Sequence, residues 1–228
     1  MSSKQNAVAP DHLTVKESRK RPTLLERVNI AIRQTPVWLV YIGGMIPSAL
    51  LIYAALTGGL GPDPVERLLH QFGLYGLQFL VAVICVTPLR TYAGINLMKF
   101  RRALGVLVFV YIGLHVATWL VLDVQFNWGV IFKGVLTRPY ISIGFVSFAM
   151  LALLAITSNN ASVRRMGATG WQRLHMLTYP AAILAGLHFV LLTKTWQLEP
   201  MLYLGGIIAL LISRKRIRRM ASGLISRK

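Results

Sequence analysis

Six apolar blocks, separated by short polar and basic intervals, fill the chain between Val37 and Ser213: Val37–Leu56, Leu68–Leu89, Ala103–Leu122, Pro139–Thr157, Trp171–Leu192 and Leu198–Ser213. A bilayer core of about 30 Å takes about 20 mostly apolar residues in helix, and the blocks match that length. The last is short and relies on Arg214 and Lys215 reaching back to the surface along their aliphatic stems. The intervals are too short to fold as domains. The pattern therefore predicts an all-α integral membrane protein, a six-helix transmembrane bundle over residues 36–213. Residues 1–35 are polar and basic and read as a mostly disordered arm. Residues 214–228 read as a helix extension or a basic interfacial tail.

Composition places the chain in the same class. Hydrophobic residues make up 55% and charged residues 14%, with a mean hydropathy of +0.57, whereas soluble domains carry about 25% charged residues. The net charge is +18, from 25 Lys and Arg against 7 Asp and Glu. Such a charge marks nucleic-acid binding when it forms a stripe on a folded face. Here the basic residues border apolar blocks, so membrane lipid is the expected partner and nucleic acid is not. The arm, the second and fourth intervals and the tail must share one side of the membrane. Counting Arg173, at the inner end of the fifth block, with the fourth interval, they hold 7, 4, 3 and 7 basic residues, 21 in all, while the other side holds only Arg67, Lys133, Arg138 and Lys194. By the positive-inside rule both termini are cytoplasmic. No secretory signal is read, because the first apolar block is about 20 residues long and lacks a cleavage site.

The single cysteine, Cys85, excludes a disulfide framework, a thiolate zinc site and covalent c-type haem attachment. No acidic residue lies deep in a block, which argues against a proton- or cation-driven transporter. No internal repeat is visible. The glycine pairs at Gly43, Gly58 and Gly205 read as close-packing or turn positions. Histidine is the informative residue: His70, His115, His175 and His188 all fall in or at the edge of apolar blocks. An imidazole in hydrocarbon needs a partner, and a helix–helix hydrogen bond is the plain account of any one of them. Taken together, with no acids to pair with, they fit b-type haem, whose axial ligand is neutral imidazole. His115 lies about 21 Å along the third helix and His188 about 25 Å along the fifth, so both reach the outer leaflet and can face one iron. His70 opens the second helix at that level, while His175 stands near the inner surface. His175 and His188 are out of phase on an ideal helix by roughly 140°. Either Pro180 corrects this by a kink, or the two serve different sites. Trp119, four residues after His115, is either an interfacial aromatic or a porphyrin wall. Arg90, Lys99, Arg101, Arg102, Arg164, Arg165 and Arg173 lie at the inner helix ends as anchors, and a subset suits phosphate or propionate groups. Asn127, Asn159 and Asn160 are loop groups with no assigned role.

Several stretches carry a family resemblance: Gly61-Pro62-Asp63-Pro64-Val65, His70-Gln71-Phe72-Gly73, Thr87-Pro88-Leu89-Arg90, Arg101-Arg102-Ala103-Leu104-Gly105 with His115, Thr137-Arg138-Pro139-Tyr140, and Trp171-Gln172-Arg173-Leu174-His175 with Tyr179 and His188. Over residues 36–213 the chain resembles the MsrQ family, haem-binding membrane subunits of bacterial periplasmic methionine sulfoxide reductase systems, within the ferric-reductase-like transmembrane group. The resemblance implies a multi-pass inner-membrane protein with haem b and FMN as cofactors. Its donor would be the quinone pool or a cytosolic flavin reductase, and its acceptor a periplasmic molybdopterin-containing methionine sulfoxide reductase subunit. It matches His115, His175 and His188 to the family's functional histidines and His70 to a further histidine of its pattern. By shared depth, His115 and His188 are the expected ligands of the haem iron, with His175 a further candidate, and by charge Arg90, Arg101 and Arg102 are the expected partners of cofactor phosphate or propionates. The NADPH-oxidase members of the group carry a second histidine where this chain has Arg101, so one haem plus a flavin fits the histidine count.

The sequence holds no nucleotide-binding G-x-G-x-x-G, no room for a nicotinamide domain, and no nucleophile–base–acid triad. It predicts an electron-transfer subunit, not an enzyme complete in itself. The competing readings are a haem-free scaffold or permease and a direct metal-ion reductase. The charge asymmetry makes its own prediction. Reporter fusions after Leu60, Phe132 and Thr195 are expected to be active only outside, and fusions after Ile95, Ala161 and Ser222 only inside. Alkaline phosphatase activity at the C-terminus would overturn the orientation.

Overall fold

With no water in a bilayer core to take up main-chain polar groups, apolar runs must close their hydrogen bonds internally, and every run here does so as helix. The computed structural model describes residues 22–193 and 197–225, with no strand among them. The helices are α1 (Leu24–Gln34), α2 (Val37–Leu56), α3 (Pro64–Tyr92), α4 (Arg101–Thr118), α5 (Trp128–Thr137), α6 (Pro139–Ile156), α7 (Asn160–His175), α8 (Thr178–Leu192) and α9 (Leu198–Ile225). A 3₁₀ turn at Met98–Phe100 leads into α4, which continues as a π-helical turn over Trp119–Asp123. Local chemistry fixes several starts. Asp63 caps α3 through the Glu66 N–H, with Pro64 in the first turn. Asn127 caps α5 and Asn159 caps α7 in the same way, which gives those loop asparagines a role.

α3 packs most extensively on α4, and α6 on α8; α9 lies against α8 and α3. These five helices share one core, with Leu80 and Ile84, Val108, Leu151, Ala181 and Ala182, and Ile207 at its centre. α2 is an outer helix whose Trp38, Ile42, Ile46, Leu50 and Tyr53 are exposed, as suits side chains that meet lipid. Close crossings are set by glycine. A Cβ on Gly44 would collide with Leu107 of α4, and Gly58 makes the turn after α2 at φ +76, whereas Gly205 and Gly206 have nothing near them. The glycine reading thus holds at the first two pairs.

Five segments are long and apolar enough to cross a membrane among the described residues: Val37–Leu56, Pro64–Tyr92, Met98–Asp123, Pro139–Ile156 and Asn160–Leu192. The protein is a multi-pass membrane protein. The sixth predicted block falls on α9, a helix of 28 residues that runs on through Arg214 to Ile225. Three expectations need correction. Trp171–Leu192 is not one helix: α7 ends at His175 and α8 begins at Thr178, because Pro180 has no N–H to give and its ring clashes with the carbonyl four residues back. Leu24–Gln34 is not part of a disordered arm but a helix, begun by a reciprocal Thr23–Glu26 capping box. It is tied down by Asn29, which donates to the Gly94 carbonyl and accepts from the Asn96 N–H, and by Lys99, which donates to the Arg33 carbonyl. The arm before residue 22 lies outside the described residues. The interval between α4 and α6 holds the unpredicted helix α5, whose Ile131 and Gly134 are buried.

One hydroxyl repairs a helix. Pro47 disrupts the ladder of α2, and the Gly44 carbonyl and Ser48 N–H, normal partners four residues apart, are both taken by Tyr111 of α4. Its hydroxyl donates to Gly44 at 2.7 Å and accepts from Ser48 at 3.1 Å, with the tyrosine wholly buried. Tyr111→Phe leaves a buried donor and acceptor to re-pair across a gap. It is expected to destabilise the protein by about 1–3 kcal/mol, seen as a lower Tm in detergent. Ser48→Ala, which keeps the backbone N–H, is expected to change it far less.

Candidate functional site

The histidines at helix depth solve their hydrogen-bonding problem alike. His115, near the end of α4, places Nδ1 2.8 Å from the Leu69 carbonyl of α3. His188, just before the last turn of α8, places Nδ1 2.7 Å from the Tyr140 carbonyl of α6. A carbonyl only accepts, so each Nδ1 carries the proton and donates. Each Nε2 is then left with a lone pair. The two rings stand edge to face at 87°, with centroids 6.2 Å apart.

Between them lies a cavity of about 1000 Å³, at the upper end for ligand sites in proteins. His70, His115 and His188 line it together with Trp119, Phe145, Phe148 and Phe189. His70 packs against Phe189 at 5.8 Å and Trp119 edge-on against Phe145 at 5.7 Å. The charged residues Asp63, Glu66, Arg67, Asp123 and Arg138 border the cavity where α3 and α6 begin and the π turn ends. That end is polar and open.

The donor set fits an iron held between two imidazoles. Two metal–nitrogen bonds of about 2 Å each leave about 2 Å of the centroid separation, one imidazole half-width on either side. No three His, Cys, Asp or Glu side chains come together as a metal cage among the described residues. The pair therefore suits an ion whose other positions are filled by a macrocycle, and the aromatic walls suit the macrocycle's faces and edges.

The structure brings together three of the four predicted histidines and separates the fourth. His175 lies at the end of α7 on the far side of the break at Pro180. Its ring stacks on Trp171 at 3.8 Å, and its Nε2 is 3.4 Å from the Thr157 hydroxyl. The Trp171 indole N–H donates to the Thr157 carbonyl, and Arg102 donates to the Asn160 side chain beside it. The charges of Arg101 and Arg102 act on His175. So His175 belongs to a second, basic and aromatic cluster. Arg101 and Arg102 accompany it and do not line the cavity, and Arg90 is exposed in the last turn of α3. The arginines at the cavity are Arg67 and Arg138, which sequence reasoning read only as outer-side charges. The π turn that carries Trp119 into the wall was also missed, since a widened turn leaves no mark in an apolar run. So were the Leu69 and Tyr140 carbonyls, because every residue has one.

Residues 70–186 match the family described as ferric reductase like transmembrane component. The matched span runs from His70 past His115 and His175, and stops two residues short of His188. The chain is also similar to proteins named protein-methionine-sulfoxide reductase heme-binding subunit MsrQ. Those of Brucella ovis, Brucella canis and Brucella suis are each 42% identical to it over 181 residues, which is 79% of this chain and 82% of the relative. By the span of the family match and the length and identity of these alignments, the chain belongs to the ferric-reductase-like transmembrane family and, within it, to the MsrQ haem-binding subunits.

Proposed function

We propose that the protein is a membrane electron-transfer subunit that holds a b-type haem between His115 and His188. It would serve a periplasmic methionine sulfoxide reductase whose sulfoxide chemistry sits on a separate molybdopterin-containing subunit. One observation carries the reading: two imidazoles with Nδ1 fixed by carbonyls and centroids 6.2 Å apart border an open cavity instead of packed protein. Histidines serving only to join helices have no need of that space. The relatives' name, which specifies haem binding, supports the same choice.

A bound haem supplies a one-electron redox centre; the rest is done by the chain. His115 of α4 and His188 of α8 would hold the iron, and their Nδ1–H bonds fix tautomer and ring direction. Trp119, Phe145, Phe148 and Phe189 line the cavity and would shield a bound haem from water and lower the local dielectric. Arg67 and Arg138, at the open end, suit the porphyrin carboxylates, which arginine forks bind in pairs. His70, exposed to the same cavity, is the alternative ligand. The cluster of Trp171, His175, Thr157, Arg101 and Arg102 is assigned to the donor side. A flat ring beside two guanidinium groups suits FMN, and the donor is either the quinone pool or a cytosolic flavin reductase. The 21-to-4 basic asymmetry orients the whole with both termini and this cluster in the cytoplasm, α9 as the sixth span, and the open cavity end toward the periplasm of a bacterial inner membrane.

Purified protein is expected to show a Soret band and dithionite-sensitive α and β bands. His115→Ala and His188→Ala are each expected to lose or convert the low-spin spectrum while the protein still inserts. If both keep the wild-type reduced spectrum, His70 replaces them as the candidate. His175→Ala is expected to keep the dithionite-reduced spectrum but to be reduced slowly by a quinol or reduced flavin. Normal donor-driven reduction in that variant would sink the inner-site assignment.

A further inference from the structure

The two imidazoles are seated by the same device used twice. A Cβ added to Gly73 of α3 would lie 3.0 Å from Nδ1 and 3.2 Å from Cε1 of His115. One added to Gly144 of α6 would lie 2.8 Å from Nδ1 and 3.0 Å from Cε1 of His188. Each glycine stands four residues after the residue whose carbonyl takes the Nδ1–H, Leu69 before Gly73 and Tyr140 before Gly144. On a helix these positions share a face one turn apart, so carbonyl and bare Cα form a notch. The ring of the neighbouring helix lies in it. His115 follows its carbonyl residue by 46 positions and His188 by 48. In each half the notch is near the start of one helix and the histidine near the end of its most extensively packed partner, α3 with α4 and α6 with α8.

We infer that Gly73 and Gly144 are positioning residues that set the planes of the two axial imidazoles, holding them near perpendicular. The inference rests on the haem reading above. A methyl at either position stands at or inside the limit of ordinary carbon contact with the ring nitrogen, so the ring must tilt or slide off its carbonyl. Either movement changes the angle between ligand planes and weakens the Nδ1–H···O bond that raises imidazole basicity. Gly113 on α4 is the control, since a Cβ there meets nothing within 4 Å.

The test is low-temperature EPR and redox titration of the haem-loaded protein. Near-perpendicular imidazoles give a highly anisotropic low-spin signal with a large g value. In Gly73→Ala and Gly144→Ala that feature is expected to shift, together with the midpoint potential, while Gly113→Ala matches wild type. A second measurement stands if an alanine variant does not accumulate. His115→Gly is expected to regain the low-spin spectrum with added imidazole, and His115→Gly/Gly73→Ala to need several-fold more imidazole for half-recovery. If His115→Ala removes the low-spin spectrum yet both glycine variants keep wild-type g values, or the imidazole requirement is unchanged, the positioning role is wrong. If His115→Ala and His188→Ala leave the spectrum untouched, the haem reading itself fails, and the positioning role with it.

Discussion

A histidine inside a membrane has two ring nitrogens to satisfy and no water to do it with. That constraint organises the half of this molecule that holds the cavity. Each ring gives its Nδ1–H to a helix carbonyl whose second lone pair is free. A carbonyl on a helix can be reached only if the donor helix comes very close, so α4 must lie against α3, and α8 against α6, with little between them. The small residues at those crossings follow from this need. A Cβ on Gly76 would lie 2.5 Å from Ile112, and Gly73 and Gly144 stand directly under the rings. With both Nδ1 atoms committed, the Nε2 atoms are the only polar groups left on the rings, and both histidines line the cavity.

The same accounting explains why the helices break where they do. A ladder interrupted in hydrocarbon must be closed by something else. At Pro47 the Tyr111 hydroxyl closes it. At the α7–α8 junction the chain tightens instead, with Met176 and Leu177 N–H groups bonding to the Arg173 and Leu174 carbonyls three residues back. That break has a consequence for the site. It removes His175 from the helix that carries His188 and lets its ring stack on Trp171. The phase conflict between the two histidines ends in separation and not in a kink that joins them: His188 lines the cavity and His175 does not.

Long apolar runs made the helical membrane class legible, since any run near 20 residues admits few other structures. Helix depth is legible too, as rise per residue is constant, and the three histidines it groups, His115, His188 and His70, line one cavity. For His188 the rise runs along a shorter helix than the apolar block suggests, since α8 begins at Thr178 and not at Trp171. Residue type was a poorer guide to the arginines. Arg101 and Arg102 stay away from the cavity, with Arg102 bonded to Asn160 of α7, while Arg67 and Arg138 reach it, and only the helix packing distinguishes the two pairs. Helices α1 and α5 were hidden because their stability comes from caps and from contacts with distant loops, such as Asn29 with Gly94.

The repeated notch shows why a sequence without visible repeats can still build a two-fold site. A notch needs one glycine and one carbonyl a turn earlier, and the carbonyl places no demand on the residue that carries it. Leu69 and Tyr140 are different residues, as are His70 and Ile141, and Gln71-Phe72 and Ser142-Ile143 share only a polar–apolar order. The partner helix needs only a histidine at matching depth. Two half-sites can therefore agree in geometry at two positions each and differ elsewhere, which no comparison of side chains along the chain would detect. The remaining differences allow the halves distinct surroundings. Around His115 the wall turns through the π-helical Trp119, while Tyr140 lends His188 both its carbonyl and its ring, 6.3 Å away. One iron between two such seats would feel matched ligands in unmatched environments.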